Sequence, residues 1–177
     1  MAEPESAVSN RVLSATLLGD VDEDARIAIL ESLERDEAAS GAILLKQGEP
    51  NDHLSFLIAG KAVLERAWPE GRIETLATIE APSVFGTTSF FVPTPPPVTV
   101  RATTAVKLLT LYHPAHERLR IEHPRAAEAL ALAVVRTLTE RFNIIDALFT
   151  EFIANHRDDS KKVDEWAGFR ARFFQEP

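Results

Sequence analysis

The chain has 177 residues, 45% of them hydrophobic and 26% charged, a balance that supports one buried core with a short appendage. Nineteen Lys and Arg stand against 27 Asp and Glu, and the formal net charge of −8 repels phosphate backbones; the one basic cluster, Lys161-Lys162, is flanked by Asp158, Asp159, Asp164 and Glu165. The absence of cysteine excludes disulfides, thiolate metal sites and a Cys nucleophile. No apolar run approaches the roughly 18 residues that span a bilayer, and the acidic N-terminus carries no secretory signal. These features lead to the expectation of a cytoplasmic protein with neither nucleic acid nor membrane as partner.

Residues 1–10 are polar and expected to be disordered. Val12, Leu13, Leu17 and Leu18 form a short helical patch ended by Gly19-Asp20. Asp22 to Glu34 predicts a second helix, with Ile27, Ile29, Leu30 and Leu33 on one side and Asp22 as N-cap. From residue 41 the period shortens. Ile43 to Leu45, Leu54 to Ile58, Ala62 to Leu64, Ile73 to Ile79, Val98 to Val106 and Leu108 to Tyr112 read as strands, separated by Gly48 to Asp52, Gly60 and Pro69-Glu70-Gly71. Strands this short and closely spaced predict a mainly β fold, an antiparallel β-roll of jelly-roll type with flanking helices.

The helical period returns after residue 113. His116 to Ile121 forms a short helix, and Pro124 opens a long one, where its missing N–H is harmless. Ala127, Leu130, Val134, Leu138, Ile145, Leu148 and Phe152 recur at three or four residues, beside a second stripe of Ala131, Val135, Phe142, Phe149 and Ile153. That arc is wider than one small sheet requires. Two coverings fit equally: the same helix of a second copy, with Val134, Leu138, Ile145, Leu148 and Phe152 as the dimer seam, or the N-terminal helices. The domain read this way covers residues 11–155. A tail, 156–177, follows, with Asp159 or Ser160 capping a final helix that carries Trp166, Phe169 and Phe173.

The segment Gly41 to Gly60 holds glycines at 41, 48 and 60, with Asp52 after the second. It resembles the opening hairpins of cyclic nucleotide-binding domains, the family of the catabolite activator protein. Ser83-Val84-Phe85-Gly86 is similar to the start of that family's phosphate-binding cassette. His123-Pro124 and its long helix resemble the closing helix over the nucleotide. The resemblance runs from about residue 17 to 142 and implies the β-roll already inferred.

In family members that bind cyclic AMP or cyclic GMP, a Glu just after Phe-Gly meets the ribose hydroxyl and an Arg about ten residues on pairs with the cyclic phosphate. The span from Gly86 to Val100 matches the family without a gap, and it puts Thr87 at the Glu position and Pro96 at the Arg position. Loss of the guanidinium removes about 2–5 kcal/mol of binding. Loss of the carboxylate removes about 1–3 kcal/mol more, several decades of affinity together. The resemblance therefore implies a degenerate cassette. The ligand-binding residues it points to are Phe85, Gly86, Thr87, Thr88, Ser89, Thr99 and Arg101; the Thr87, Thr88 and Ser89 hydroxyls could still hold an anion. Arg101 could reach an anion or pair across the sheet with Glu74. Phe90 and Phe91 read as core fillers.

His53, His113, His116 and His123 lack metal-ligand spacing and are expected as solvated surface side chains, and nothing forms a nucleophile elbow or a phosphate loop. No catalytic residue, metal or cofactor is assigned, and an enzyme is not expected. The tail of 156–177 is shorter than the DNA-binding domain of the catabolite-activator branch, so that domain is not expected. The functional expectation is a stand-alone regulatory or scaffolding module that binds a protein partner, with Trp166, Phe169 and Phe173 as contact residues, and forms a homodimer. The alternative is a sensor of a cyclic mono- or dinucleotide, or another anion, that signals by moving the long helix.

Overall fold

The computed structural model describes residues 15–155, and the chain parts into two units, Met1–Arg136 and Thr137–Pro177. Leu17 and Leu18 are buried in the turn before helix α1 (Glu23–Glu31); Val12 and Leu13 lie outside the described residues. Asp22 caps α1 as expected, its carboxylate accepting the Ala25 N–H at 3.0 Å. The buried side is set by Ala25, Ala28 and Ile29, which turns Ile27 outward to 42% exposure and corrects the apolar side read from sequence. The helix also stops earlier than expected, since strand β1 (Glu34–Ala38) begins at the predicted last helical residue.

β1 is composed of Glu34, Arg35, Asp36, Glu37 and Ala38, and no apolar alternation marks it. It is a strand because it is the outer edge of a sheet, paired antiparallel with β8 (Val106–Tyr112). The remaining strands are β2 (Ile43–Leu45), β3 (His53–Ala59), β4 (Lys61–Ala67), β5 (Ile73–Glu80), β6 (Ser83–Phe85) and β7 (Thr99–Ala102). They form two four-stranded antiparallel sheets, β1-β8-β3-β6 and β2-β7-β4-β5. The expected run Val98 to Val106 is broken after Ala102, and its two ends serve different sheets.

The sheets close on a common core of Leu45, Leu57, Ala62, Phe85, Val100, Ala102, Val106 and Leu108, drawn from both. Each buried Leu, Val or Phe there contributes about 1.5–3 kcal/mol. β3 is buried on both faces from Leu54 to Leu57. Its one polar side chain in that stretch, Ser55, faces Thr110 on β8 with the hydroxyls 3.3 Å apart, so each satisfies the other.

Helix α2 (His113–Glu122) follows β8 directly, three residues longer at its start than the sequence predicts. Helix α3 (Pro124–Asn155) begins on proline as expected. In the first unit α3 buries Ala126, Ala127, Leu130, Ala133 and Val134. In the second unit Ile144, Ile145 and Leu148 are exposed. Among the described residues no helix is long and apolar enough to cross a membrane.

Gly60 joins β3 to β4 alone, at φ +91°. A Cβ there would run into the Ala105 carbonyl oxygen and stand 2.9 Å from Val106 Cγ1. Gly71 has a similar φ of +85° but open space around it. Gly60→Ala is therefore expected to lower the unfolding free energy by clearly more than the roughly 1–2 kcal/mol of a left-handed alanine alone. Gly71→Ala should lose only that smaller amount; urea titration of both variants checks the difference.

Candidate functional site

The segment that follows β6 is held by its contact with β3. Gly86 has φ +89°, and a Cβ on it would lie 2.6 Å from the His53 carbonyl oxygen, so only glycine lets the two backbones pass. Thr87 to Ser89 then make a single turn, with the Ser89 and Phe90 N–H groups donating to the Gly86 carbonyl at 3.2 and 3.1 Å. In nucleotide-binding members the resemblance implies a short helix starting just after Phe-Gly; here residues 87–89 form only this turn.

Asn51 organises the turn, and the sequence reading had placed it only within a loop. It is 7% exposed. Its Nδ2 donates to the His53 carbonyl at 2.8 Å and to Ser89 Oγ at 3.0 Å, while its Oδ1 accepts the His53 N–H at 3.3 Å. One amide thus ties the β2–β3 connection to the turn. The only advance signal was its place in the turn-rich run Gly48-Glu49-Pro50-Asn51-Asp52.

The candidate hydroxyls divide. Thr87 and Ser89 are buried, and Thr88 is exposed. Ser89 spends its oxygen on Asn51, so the three do not point out together as a set of anion donors. Thr94 closes the loop from the far side, its hydroxyl donating to the Thr88 carbonyl at 3.1 Å. Pro96 is buried, and its carbonyl accepts the Gly48 N–H at 3.0 Å. Thr99 Oγ1 accepts the Gln47 N–H at 3.1 Å. Arg101 pairs with Glu65 at 3.1 Å and donates to the Gly41 carbonyl at 3.2 Å. Glu65 replaces the expected partner Glu74, because β4 lies between β7 and β5; Glu74 instead accepts Trp68 Nε1–H at 3.0 Å.

Phe90 is 2% exposed and fills space as expected. Phe91 is half-buried and lines a groove of about 740 Å³ with Pro93, His116, Arg120, Pro124 and Ala131. Three histidines depart from the surface role expected of them. His53 bridges the Leu44 carbonyl and Asp52, each at 3.0 Å. His113 Nε2 donates to the Phe90 carbonyl at 2.9 Å. The His116 ring meets Phe90 and Phe91 edge-on, at centroid distances of 5.3 and 5.2 Å. Burial lowers the pKa of His116, and Arg120 and His113 lower it further against an opposing contribution from Glu117. His123 is exposed. Among the described residues no group of three or more His, Asp or Glu is placed to hold a metal ion.

Of the residues named for a dimer seam, Val134 is buried, Leu138 half-buried, and Ile145 and Leu148 exposed at 63% and 62%. The Phe152 side chain, the cap at Asp159 or Ser160, and Trp166, Phe169 and Phe173 lie outside the described residues.

Asn51→Ala should leave the His53 carbonyl and Ser89 hydroxyl without their donor and lower stability by about 1–3 kcal/mol. Ser89→Ala removes one of the same bonds and should be milder. Thermal unfolding of both variants and their double mutant is expected to show non-additive losses.

Comparison with known proteins bears on what this arrangement is. The family model described as the cyclic nucleotide-binding domain matches residues 35–123. A "CRP-like cAMP-activated global transcriptional regulator" of Mycobacterium tuberculosis is 31% identical over 133 residues, which is 74% of this chain and 59% of the relative. The chain thus aligns with less than two thirds of that protein's length. Among solved structures, the N-terminal domain of a transcriptional regulator from Streptomyces coelicolor A3(2) is similar at 33% identity and a TM-score of 0.62, over 71% of this chain and 89% of that one. The Thermus thermophilus catabolite activator protein shares the fold at 24% identity and a TM-score of 0.61, over 75% and 62%. With the β-roll, the cassette turn and the proline-initiated helix all in the family's order, the chain belongs to the cyclic nucleotide-binding domain family.

Proposed function

We propose that this chain is a regulatory module of its family that acts through protein contact and does not hold cyclic AMP or cyclic GMP at micromolar concentration. The supporting observation is the filling of the two positions that carry charge in nucleotide-binding members. Thr87, at the ribose-carboxylate position, is buried, and Pro96, at the phosphate-arginine position, is buried with its carbonyl bonded to Gly48. Arg101, the nearest cation along the chain, is committed to Glu65 and Gly41. A cyclic phosphate brought to the turn would meet backbone N–H groups without a guanidinium, which is too little to offset its desolvation.

The protein contact is a second copy of the chain, through the apolar side chains of α3 that stand in solvent. Ile144, Ile145 and Leu148 are each 60% exposed or more. Leu138, Ile145 and Leu148 fall at steps of seven and three, the spacing of a coiled-coil seam. A true sensor is the second reading, favoured by the description of the Mycobacterium tuberculosis relative as cAMP-activated.

Calorimetry with cyclic AMP, cyclic GMP and cyclic di-GMP separates the two. The expected result is no heat at micromolar ligand for the native chain, and a gain of several decades in affinity for cyclic AMP when Thr87→Glu is combined with Pro96→Arg. Tight binding by the native chain that is lost in Thr87→Ala would establish the sensor instead. For the contact, sedimentation should find a dimer that Ile145→Asp with Leu148→Asp converts to monomer. A native chain that sediments as a monomer at high concentration removes that part of the proposal.

A further inference from the structure

Two histidines of α2 meet the cassette. Its last turn residue, Phe90, offers its carbonyl to His113 Nε2, and its ring lies against the rings of His113 and His116 at 4.7 and 5.3 Å. Phe91 stacks edge-on against Phe90 at 5.1 Å and against His116 at 5.2 Å, so the His116 imidazole and the two phenyl rings form one three-membered cluster. No ion pair of His116 exists among the described residues, and its nearest charged neighbours on α2 are Glu117 and Arg120. Glu117 is already engaged, both of its oxygens 3.0 Å from Arg120 Nη1. From α3 the one charged side chain lining the same groove is Glu128, and the cassette contributes only Phe90, Phe91 and Pro93.

We propose that this contact is a pH-sensitive latch, in which neutral His116 holds the cassette against α2 and its protonation releases Phe90 and Phe91 from the helix. An imidazolium is best satisfied by water or a carboxylate on both ring nitrogens, and half-burial of His116 against two phenyl rings withdraws part of that hydration. His113 keeps its bond to the Phe90 carbonyl in either charge state, since its Nε2 donates in both. The switch is therefore His116. The sign follows from linkage. A histidine whose folded pKa lies below its unfolded value of about 6.5 binds fewer protons in the latched form. The latch is at full strength above that pH and weakens as pH falls from there through the folded pKa. The groove between cassette and helices would widen in the released form, exposing Phe91 beside Pro124 and Ala131.

The test is NMR on the full chain between pH 7.5 and 5. The His116 ring titration is recorded together with amide shifts and exchange protection at Ser89, Phe90 and Phe91. The expected result is that His116 titrates below 6.5 and that the cassette amides shift and lose protection with the same midpoint. Phe56 and Leu109, on the central strands, should keep their protection. His116→Phe, which retains an aromatic ring but cannot take a proton, should abolish the cassette response, while His113→Gln should keep it. The proposal is overturned by a cassette that ignores the His116 titration, by an unchanged response in His116→Phe, or by central strands that open in step with the cassette. If His116→Phe does not fold, agreement or disagreement of the two midpoints in the native chain decides.

Discussion

The close passage of β3 over Gly86 is the constraint from which the site is built. Because no side chain fits at residue 86, the cassette backbone can lie directly on the His53 carbonyl, and Asn51 reaches both β3 and the cassette turn with one amide. Within the turn the Ser89 and Phe90 N–H groups donate to the Gly86 carbonyl, and the Ser89 hydroxyl oxygen accepts from Asn51 Nδ2. Phe90 is then carried to the inner side and meets α2, which continues without a gap from β8. A ligand at the turn and the helices beyond it would thus communicate through Phe90 and Phe91.

The same packing explains why the charged positions matter. In this family the ring phosphate is met by a guanidinium and the ribose by a carboxylate. On the gapless alignment with the family Thr87 and Pro96 take those two positions; both are buried, and the Pro96 carbonyl accepts the Gly48 N–H. The proposed loss of ordinary nucleotide binding and the proposed histidine latch are separate consequences of a cassette closed on its own neighbours. The first concerns the outer side of the turn and the second its attachment to α2.

Much of the β-roll was legible because its corners are glycines and its long helix starts at proline. Ile43–Leu45 and the start at Pro124 agree with the sequence to the residue. β1 was not legible, since an edge strand with both faces half in water carries no apolar alternation, and Glu34 was assigned to the end of the preceding helix. The histidines were misjudged for a related reason. Spacing excludes a metal triad but says nothing about burial, and the partners of His113 and His116 lie more than twenty residues away in the cassette. Asn51 was hidden likewise, because its importance rests on a contact with Ser89, 38 residues along the chain. Arg101 shows the limit of register by eye: its partner is on the adjacent strand, and the order of strands in the sheet had to be known to choose Glu65.

The most direct trial of a cassette closed from within is to follow the backbone amides of Gly86, Thr87, Thr88 and Ser89 while cyclic AMP is added to the native chain. The account predicts resonances that stay in place through micromolar nucleotide and drift without saturation at millimolar. Saturable movement of those four amides at micromolar nucleotide would contradict it.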